Sequence, residues 1–299
     1  MWRGGGRLGV AVSGGPDSLA LLLLARAARP GEVEAATVDH GLRPAAADEA
    51  DEVARVCAGL KVSHETLSVT VGDGNVQSEA RQARYAALAA WMDRRGLAAL
   101  LTAHHADDQA ETLLLRLNRA SGVAGLAGVR AVGQVPGTRL PLLRPVLGWR
   151  RRELAAVVEQ AGLVAAQDPS NGDPRFDRAR LRTRLATADW LDVSAIARSA
   201  AHLAEADAAL DWAAAREWQD GVKPGPLGSY VYRPQAPRAV ALRVVARLVT
   251  LLDGAEPRGG AVAQVFDALL AGQPASIGGL VARPLPEGWS FGKAPKRRG

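Results

Sequence analysis

Ser13-Gly14-Gly15-Pro16-Asp17-Ser18 stands between an apolar run, Leu8 to Val12, and an apolar helical pattern that begins at Ser18. Paired glycines let a backbone turn sharply and come close to an anion. Free amides at a helix start, together with two hydroxyls, then suit phosphate oxygens. The segment has no lysine, so it is not the Gly-Lys-Ser/Thr loop that grips terminal phosphates, and the Gly-x-Gly-x-x-Gly of dinucleotide sites is absent. Its residue types fit a leaving pyrophosphate held by amides, hydroxyls and a divalent ion.

A second cluster is Thr102-Ala103-His104-His105-Ala106-Asp107-Asp108-Gln109-Ala110-Glu111-Thr112. On the helix it opens, Ala110, Leu113, Leu114 and Leu117 form an apolar face. Asp108, Glu111 and Thr112 fall away from that face. Asp107 suits capping, because acids are favoured in a first helical turn. Capping does not account for two histidines directly before two aspartates. Adjacent histidines on an extended segment point to opposite sides, so one is expected to face a site. The acids suit Mg²⁺ or the ammonium of an amine substrate.

Two further segments bear polar groups. Val38-Asp39-His40-Gly41-Leu42-Arg43 offers Asp39 to a ribose or base edge and Arg43 to a phosphate, or else Asp39 caps the next helix. Asn75 to Tyr85 places Glu79, Arg81 and Arg84 along a helix start, which composition alone also allows to be a solvated surface.

The elements that must position these groups alternate. Strands are expected at 8–12, 33–38, 62–69, 98–102 and 140–143, and helices at 18–28, 45–60, 78–95, 107–119 and 151–161. Short, non-alternating apolar strands between helices predict an α/β fold with a doubly wound parallel sheet. Ligands bind beyond the carboxyl ends of such strands. Residues 167–174 are turn-rich, and Ala-rich helical stretches follow at 193–218, 239–252 and 261–270. The expected division is therefore a catalytic domain over 1–190 and a smaller, mainly helical domain over 191–299.

Composition sets limits. The chain has 299 residues, of which 48% are hydrophobic and 23% charged, as in ordinary globular proteins. Its longest N-terminal apolar run, Leu19 to Ala25, is too short to span a bilayer, and no secretory leader is expected before the first strand. The lone Cys57 cannot make an internal disulfide or an all-cysteine metal site, so a cytoplasmic location is expected. Net charge is +6, carried mostly by arginine, with lysine only at 61, 223, 293 and 296. That suits a polyanionic partner, and a GC-rich genome produces the same bias. Lys296-Arg297-Arg298 suits a phosphate contact or a solubilising tail.

The first segment resembles the Ser-Gly-Gly-x-Asp-Ser signature of the PP-loop ATP-pyrophosphatase superfamily, whose members cleave ATP between its α- and β-phosphates and adenylate an oxygen. With Val38-Asp39-His40-Gly41-Leu42-Arg43, the Glu79-Ala80-Arg81…Arg84-Tyr85 helix, the His104-to-Thr112 cluster and Arg119-Ala120-Ser121-Gly122, the chain is similar to the tRNA(Ile)-lysidine synthetase family. Arg144-Pro145-Val146 and Asp168-Pro169-Ser170-Asn171 fit the same pattern. Residues 8 to about 190 carry the likeness, and the short C-terminal part looks like the compact form of the family. One departure is Ala179, in Arg178-Ala179-Arg180-Leu181-Arg182, where the family usually has Asn.

The resemblance implies ATP and Mg²⁺ as cofactors, and free L-lysine and a tRNA(Ile) with a CAU anticodon as substrates. It implies catalytic roles for Asp17, Arg84, His104 and Asp108, and metal contacts by Asp17 and Asp108. ATP would bind at Ser13, Gly14, Gly15, Pro16, Asp17, Ser18 and Asp39. Substrate contacts fall to His105, Asp107, Glu111, Arg119, Arg178 and Arg182. The rival within the superfamily is a tRNA thiolase or an NAD synthetase-like small-molecule ligase; a non-catalytic RNA-binding protein is the rival outside it. The oligomeric state stays open, a homodimer included.

Overall fold

A computed structural model describes residues 4–41, 45–70, 76–166 and 177–294. The readings made on Arg43, on Asn75 and the side chains of 76–78, on Asp168-Pro169-Ser170-Asn171 and on Lys296-Arg297-Arg298 lie outside the described residues. The chain divides into two compact units, Met1–Ala204 and Glu205–Gly299.

The first unit alternates strand and helix: β1 (Leu8–Ala11), α1 (Pro16–Ala28), β2 (Val33–Asp39), α2 (Ala45–Gly59), β3 (Ser63–Ser68), α3 (Val76–Arg95), β4 (Ala99–Leu101) and α4 (Ala106–Leu117). Then come α5 (Val123–Leu126), β5 (Val132–Gln134), β6 (Pro141–Leu143), α6 (Arg151–Gln160) and α7 (Asp177–Ala186). The sheet order is β3-β2-β1-β4-β6-β5, parallel throughout except that β5 runs antiparallel to β6. After β3 the chain crosses back to place β4 on the free side of β1. That reversal opens a crevice beyond the carboxyl ends of β1 and β4.

Helices cover both faces, which is why the central strands read as continuous apolar runs. On one face Leu19 and Leu22 of α1, Val53 of α2 and Leu154 and Val158 of α6 pack with Val10 and Val12. On the other, Tyr85, Leu88, Trp91 and Met92 of α3 pack with Ala36, Leu100 and Leu142. Gly9 is required there, because a Cβ would stand 2.6 Å from the Trp91 ring.

The edge strand β5 and the single turn α5 are absent from the sequence reading. Three residues with glycine at the centre, as in Val132-Gly133-Gln134, give no alternation to detect.

In the second unit α9 (Arg238–Asp253) and α10 (Gly259–Leu270) lie within a helix-dominated stretch that α8 (Val193–Gly221) begins. They pack on an antiparallel sheet of order β7-β8-β11-β10-β9, formed by β7 (Val222–Pro224), β8 (Tyr230–Tyr232), β9 (Ala275–Ile277), β10 (Leu280–Leu285) and β11 (Gly288–Lys293). Val244, Leu248, Phe266, Tyr232 and Phe291 form the core, with Trp289 edge-on to Phe266 at 5.1 Å. The expected helices are present. The sheet is an addition that the sequence did not announce, since its strands are short and interrupted by Pro and Gly. Among the described residues no helix is long and apolar enough to cross a membrane.

Candidate active site

The segment after β1 becomes a loop shaped by its own side chains. Gly14 has φ +81, and its carbonyl accepts from the Ala166 amide at 3.0 Å. Gly15 caps α1 and Pro16 fills the first helical position, where no amide is needed. Ser18 Oγ accepts from the Ser13 amide at 3.1 Å and donates to the Gly15 carbonyl at 3.0 Å. Ser18 is thus a buried fastener of the loop, 6% exposed, whereas Ser13 is exposed. The amides of Asp17 and Ser18 fall in the first turn, where helix geometry supplies no partner.

Across the topological reversal, β4 delivers the histidine–aspartate cluster. His105 is the N-cap of α4: its Nδ1 accepts from the Asp108 amide at 3.4 Å, and Asp108 Oδ2 accepts from the His105 amide at 3.1 Å. The ring is 3% exposed, and its Nε2 lies 3.4 Å from Asp17 Oδ2 and 3.5 Å from Asp108 Oδ2. Burial opposes a charge on this imidazole. The Asp17 hydrogen bond and the carboxylates of Asp108, Asp17 and Asp107 outweigh it, so its pKa is raised. His104, by contrast, is driven down to about 4, first by burial and then by Arg144, Arg81 and Arg84, with Asp108 opposing. Its Nδ1 lies 3.0 Å from Thr102 Oγ1. Two adjacent histidines therefore hold opposite charge preferences.

These groups meet in a cavity of about 1140 Å³. Typical single-ligand pockets hold about 300–1,000 Å³, so this one has room for a nucleotide and more. Ser13, Gly15, Pro16, Asp17, Ser18, Arg84, His104, His105, Asp108, Arg178 and Arg182 line it. Both histidines do so, where alternation led to the expectation of one, because the chain turns from strand to cap between them. Arg81, Tyr85, His40, Glu49 and Arg151 also line it. Arg81 and Arg84 stand over the Tyr85 ring at 5.0 and 5.2 Å. The pKa of His40 is lowered by burial and by Arg84, with Asp39 opposing, and its buried Nδ1 has no hydrogen-bond partner among the described residues.

Other expected site residues are held by partners of their own, Arg178 and Arg182 while also lining the cavity, and Gly14 is not among the lining residues. Asp107 takes Arg150 bidentately at 3.2 and 3.0 Å and the Arg151 amide at 2.8 Å, tying α4 to the start of α6. Burial resists its ionisation, but these partners prevail and its pKa is lowered. Glu111, off the apolar face of α4, is 1% exposed, and Arg182 grips it at 2.8 and 3.2 Å. Arg178 donates to Thr112 Oγ1 at 3.2 Å, so α7 lies on α4. Arg119 pairs with Asp177 at 2.9 Å and is not among the lining residues. Asp39 accepts from the Gly41 amide at 2.9 Å and does not line the cavity, although its neighbours Val38 and His40 do. Gln109 was not foreseen: buried, it closes two bonds with Val129, at 2.8 and 2.7 Å.

The donor set suits a hard cation in part. Asp17 Oδ1 is buried without a hydrogen-bond partner among the described residues, close to Asp108. No group of three or more His, Cys, Asp or Glu able to hold a metal occurs among those residues. Mg²⁺ usually needs only one or two carboxylates, with substrate phosphates completing its shell. Asp17 and Asp108 fit that requirement. The thiol of Cys57 does not enter the site: it is buried in the α1–α2 core, and burial pushes its pKa up to about 11.

Comparison with known proteins agrees with this geometry. A PP-loop domain model matches residues 3–188. The chain is 49% identical to the tRNA(Ile)-lysidine synthase of Novosphingobium aromaticivorans, over 98% of its own length and 90% of the relative's. It is 40% identical to that of Zymomonas mobilis, with the same coverage. Among solved structures, the U34-tRNA thiolase of Methanococcus maripaludis superposes with TM-score 0.53 at 17% identity, covering 67% of this chain and 72% of that one, a likeness of fold alone. With a nucleotide-sized cavity at the sheet reversal and relatives of this identity along almost its whole length, the chain belongs to the tRNA(Ile)-lysidine synthase family.

Proposed function

We propose that this protein is an ATP-dependent ligase that joins free L-lysine to C2 of the wobble cytidine in a tRNA(Ile) with a CAU anticodon, forming lysidine. Family membership supports the reaction. The observation that supports its location is the meeting of the β1 loop and the His104–Asp108 cluster across one cavity.

In this reading the C2 oxygen of cytidine attacks the α-phosphorus of ATP, the α–β phosphoanhydride bond breaks and pyrophosphate leaves. The ε-amino nitrogen of lysine then bonds to C2, the C2–O bond breaks and AMP leaves with the oxygen. First-turn amides of α1 and the Ser13 hydroxyl hold the pyrophosphate, and Arg84 offsets charge as it develops. Asp17 and Asp108 would hold Mg²⁺, which would neutralise charge on the polyphosphate. Asp108 also faces the lysine side chain, whose ammonium gives one proton to solvent water before the free amine attacks. His104, unprotonated at neutral pH, accepts the proton shed as the C–N bond forms, when the nitrogen is far more acidic than a free ammonium. Residues 1–190 carry this chemistry and 191–299 hold the tRNA, in the cytoplasm.

The test is incorporation of labelled lysine into a tRNA(Ile) transcript with matched release of AMP. A transcript carrying uridine at the wobble position should accept none. AMP release without lysine transfer would reject the reading. Against the thiolase alternative stands the single, buried Cys57. Cys57→Ser should retain lysine transfer within about twofold of wild type, and loss of transfer in a folded variant would revive that alternative.

A further inference from the structure

The loop between β1 and α1, Ser13 to Ser18, contains no lysine, the residue with which Gly-Lys-Ser/Thr loops meet phosphate charge. The fold brings a cation to it from elsewhere in the chain. Helix α6 packs beside α1, with Leu154 and Val158 in one core with Leu19 and Leu22. Both helices open on the same cavity, which Pro16, Asp17 and Arg151 line together. Beyond α6, the Ala166 amide donates to the Gly14 carbonyl at 3.0 Å, so the segment after that helix braces the loop as well.

Arg151 is the first residue of α6, and its backbone is held in place. Its amide donates to Asp107 Oδ2 at 2.8 Å, and Asp107 also accepts from Arg150 at 3.0 Å. The Arg151 guanidinium lies 3.9 Å from Asp17 Oδ2, with its side chain 38% exposed. That separation is longer than a hydrogen bond. The group therefore stands at the loop with its donors unspent.

The other arginines of the cavity are placed differently. Arg182 holds Glu111 and Arg178 donates to Thr112, both on α4. Arg81 and Arg84 stand over the Tyr85 ring on α3, which covers the opposite face of the sheet from α1 and α6. We propose that Arg151 grips the β- and γ-phosphates of ATP, and then the leaving pyrophosphate, in place of the lysine that the loop lacks. A guanidinium presents paired donors to phosphate oxygens, and its charge stabilises the anion that forms as the α–β bond breaks. This inference rests on the reading of the cavity as an ATP-cleaving site.

The experiment titrates inorganic pyrophosphate, and separately AMP, into the full-length protein with Mg²⁺ at constant salt, read by calorimetry. It compares wild type with Arg151→Met, Arg151→Lys and Arg152→Met. Arg152 is exposed and is not among the lining residues, so its replacement removes the same charge from a different position. Expected in Arg151→Met is a loss of about thirtyfold in pyrophosphate affinity, the size of a lost charged hydrogen-bonding contact. AMP lacks the phosphates that Arg151 holds, and its affinity should stay within about twofold. Arg151→Lys should recover a large part of the loss, because lysine binds phosphate as a point charge. Arg152→Met should match wild type within about twofold, its charge being screened by salt. In lysine transfer, KM for ATP should rise in Arg151→Met while KM for lysine stays within about twofold.

Wild-type pyrophosphate affinity in Arg151→Met would overturn the inference, as would a wild type that binds no pyrophosphate. An equal loss for AMP, or an equal loss in Arg152→Met, would overturn it too, because either reports overall charge rather than a contact. Arg151→Met should unfold at the wild-type urea concentration; if it does not, the graded response of Arg151→Lys decides. Failure of the proposed function looks different: labelled lysine would not enter tRNA(Ile), while pyrophosphate binding kept its dependence on Arg151.

Discussion

His104 and His105 are neighbours in the chain with opposed electrostatics, and each leaves a separate mark on stability. For His104 the folded pKa, about 4, lies below the unfolded value of 6.5. Between those values the unfolded chain binds the extra proton, so stability should fall as pH drops from 6.5 towards 4, by up to about 3 kcal/mol. His105 is raised, so its contribution is complete below 6.5 and is lost as pH climbs through its folded value. Urea unfolding across pH should show the acid limb flattened in His104→Gln and the alkaline limb unaffected. Persistence of the full acid limb in that variant would place the titration elsewhere. Asp108 belongs to the same scale. Asp108→Asn keeps the shape of the capping box while removing a charge, so kcat for lysine transfer should fall at least about a hundredfold, with KM for ATP within about threefold. Turnover equal to wild type would leave Asp108 as a cap and nothing more.

At the scale of elements, α7 reaches the cavity because Arg182 holds Glu111 of α4. Removing Arg182 leaves a nearly fully buried carboxylate uncompensated, a loss of about 3 kcal/mol. Arg182→Leu should therefore unfold at lower urea. The double variant with Glu111→Leu should recover much of that stability, while lysine transfer stays impaired in both because α7 has lost its registration on α4. Equal stability of the single and double variants would mean that the pair is not coupled. The sequence marks both residues as site residues without revealing that they satisfy each other. They are 71 positions apart, and nothing local selects one arginine of Arg178, Arg180, Arg182 and Arg184 as the partner.

The whole molecule carries a net charge of +6, and the proposed substrate is a polyanion. The four α7 arginines divide. Arg182 is tied to Glu111, Arg180 pairs with Asp177, and Arg178 and Arg184 are exposed, with Arg178 in the cavity lining. Binding of tRNA should weaken steeply with salt, and Arg178→Ala with Arg184→Ala should lower the slope of log affinity against log salt by about two units. ATP binding without tRNA should be unaffected. A slope unchanged in the double variant would remove α7 from the phosphate-binding surface.

The sequence by itself determined the parallel core of the first unit, because buried strands and amphipathic helices leave strong local patterns, as in Leu8 to Val12 and Ser18 to Ala28. It also determined the loop between β1 and α1, whose glycines, hydroxyls and position at a strand end are all local facts. It could not foresee β5 or the sheet of the second unit: β5, β7, β8 and β9 have three residues each, the six-residue β10 and β11 carry Pro284, Gly288 and Gly292, and the sheet depends on contacts such as that of Trp289 with Phe266 of α10. The division of labour among polar residues was likewise decided only in three dimensions. Asp107, Asp108 and Glu111 look alike as acids in one helical run. Tertiary packing gives the first to Arg150 and the third to Arg182, and leaves Asp108 at the cavity with Asp17 and His105. A buried carboxylate must find a cation wherever the fold supplies one, and that supply comes from segments tens of residues away.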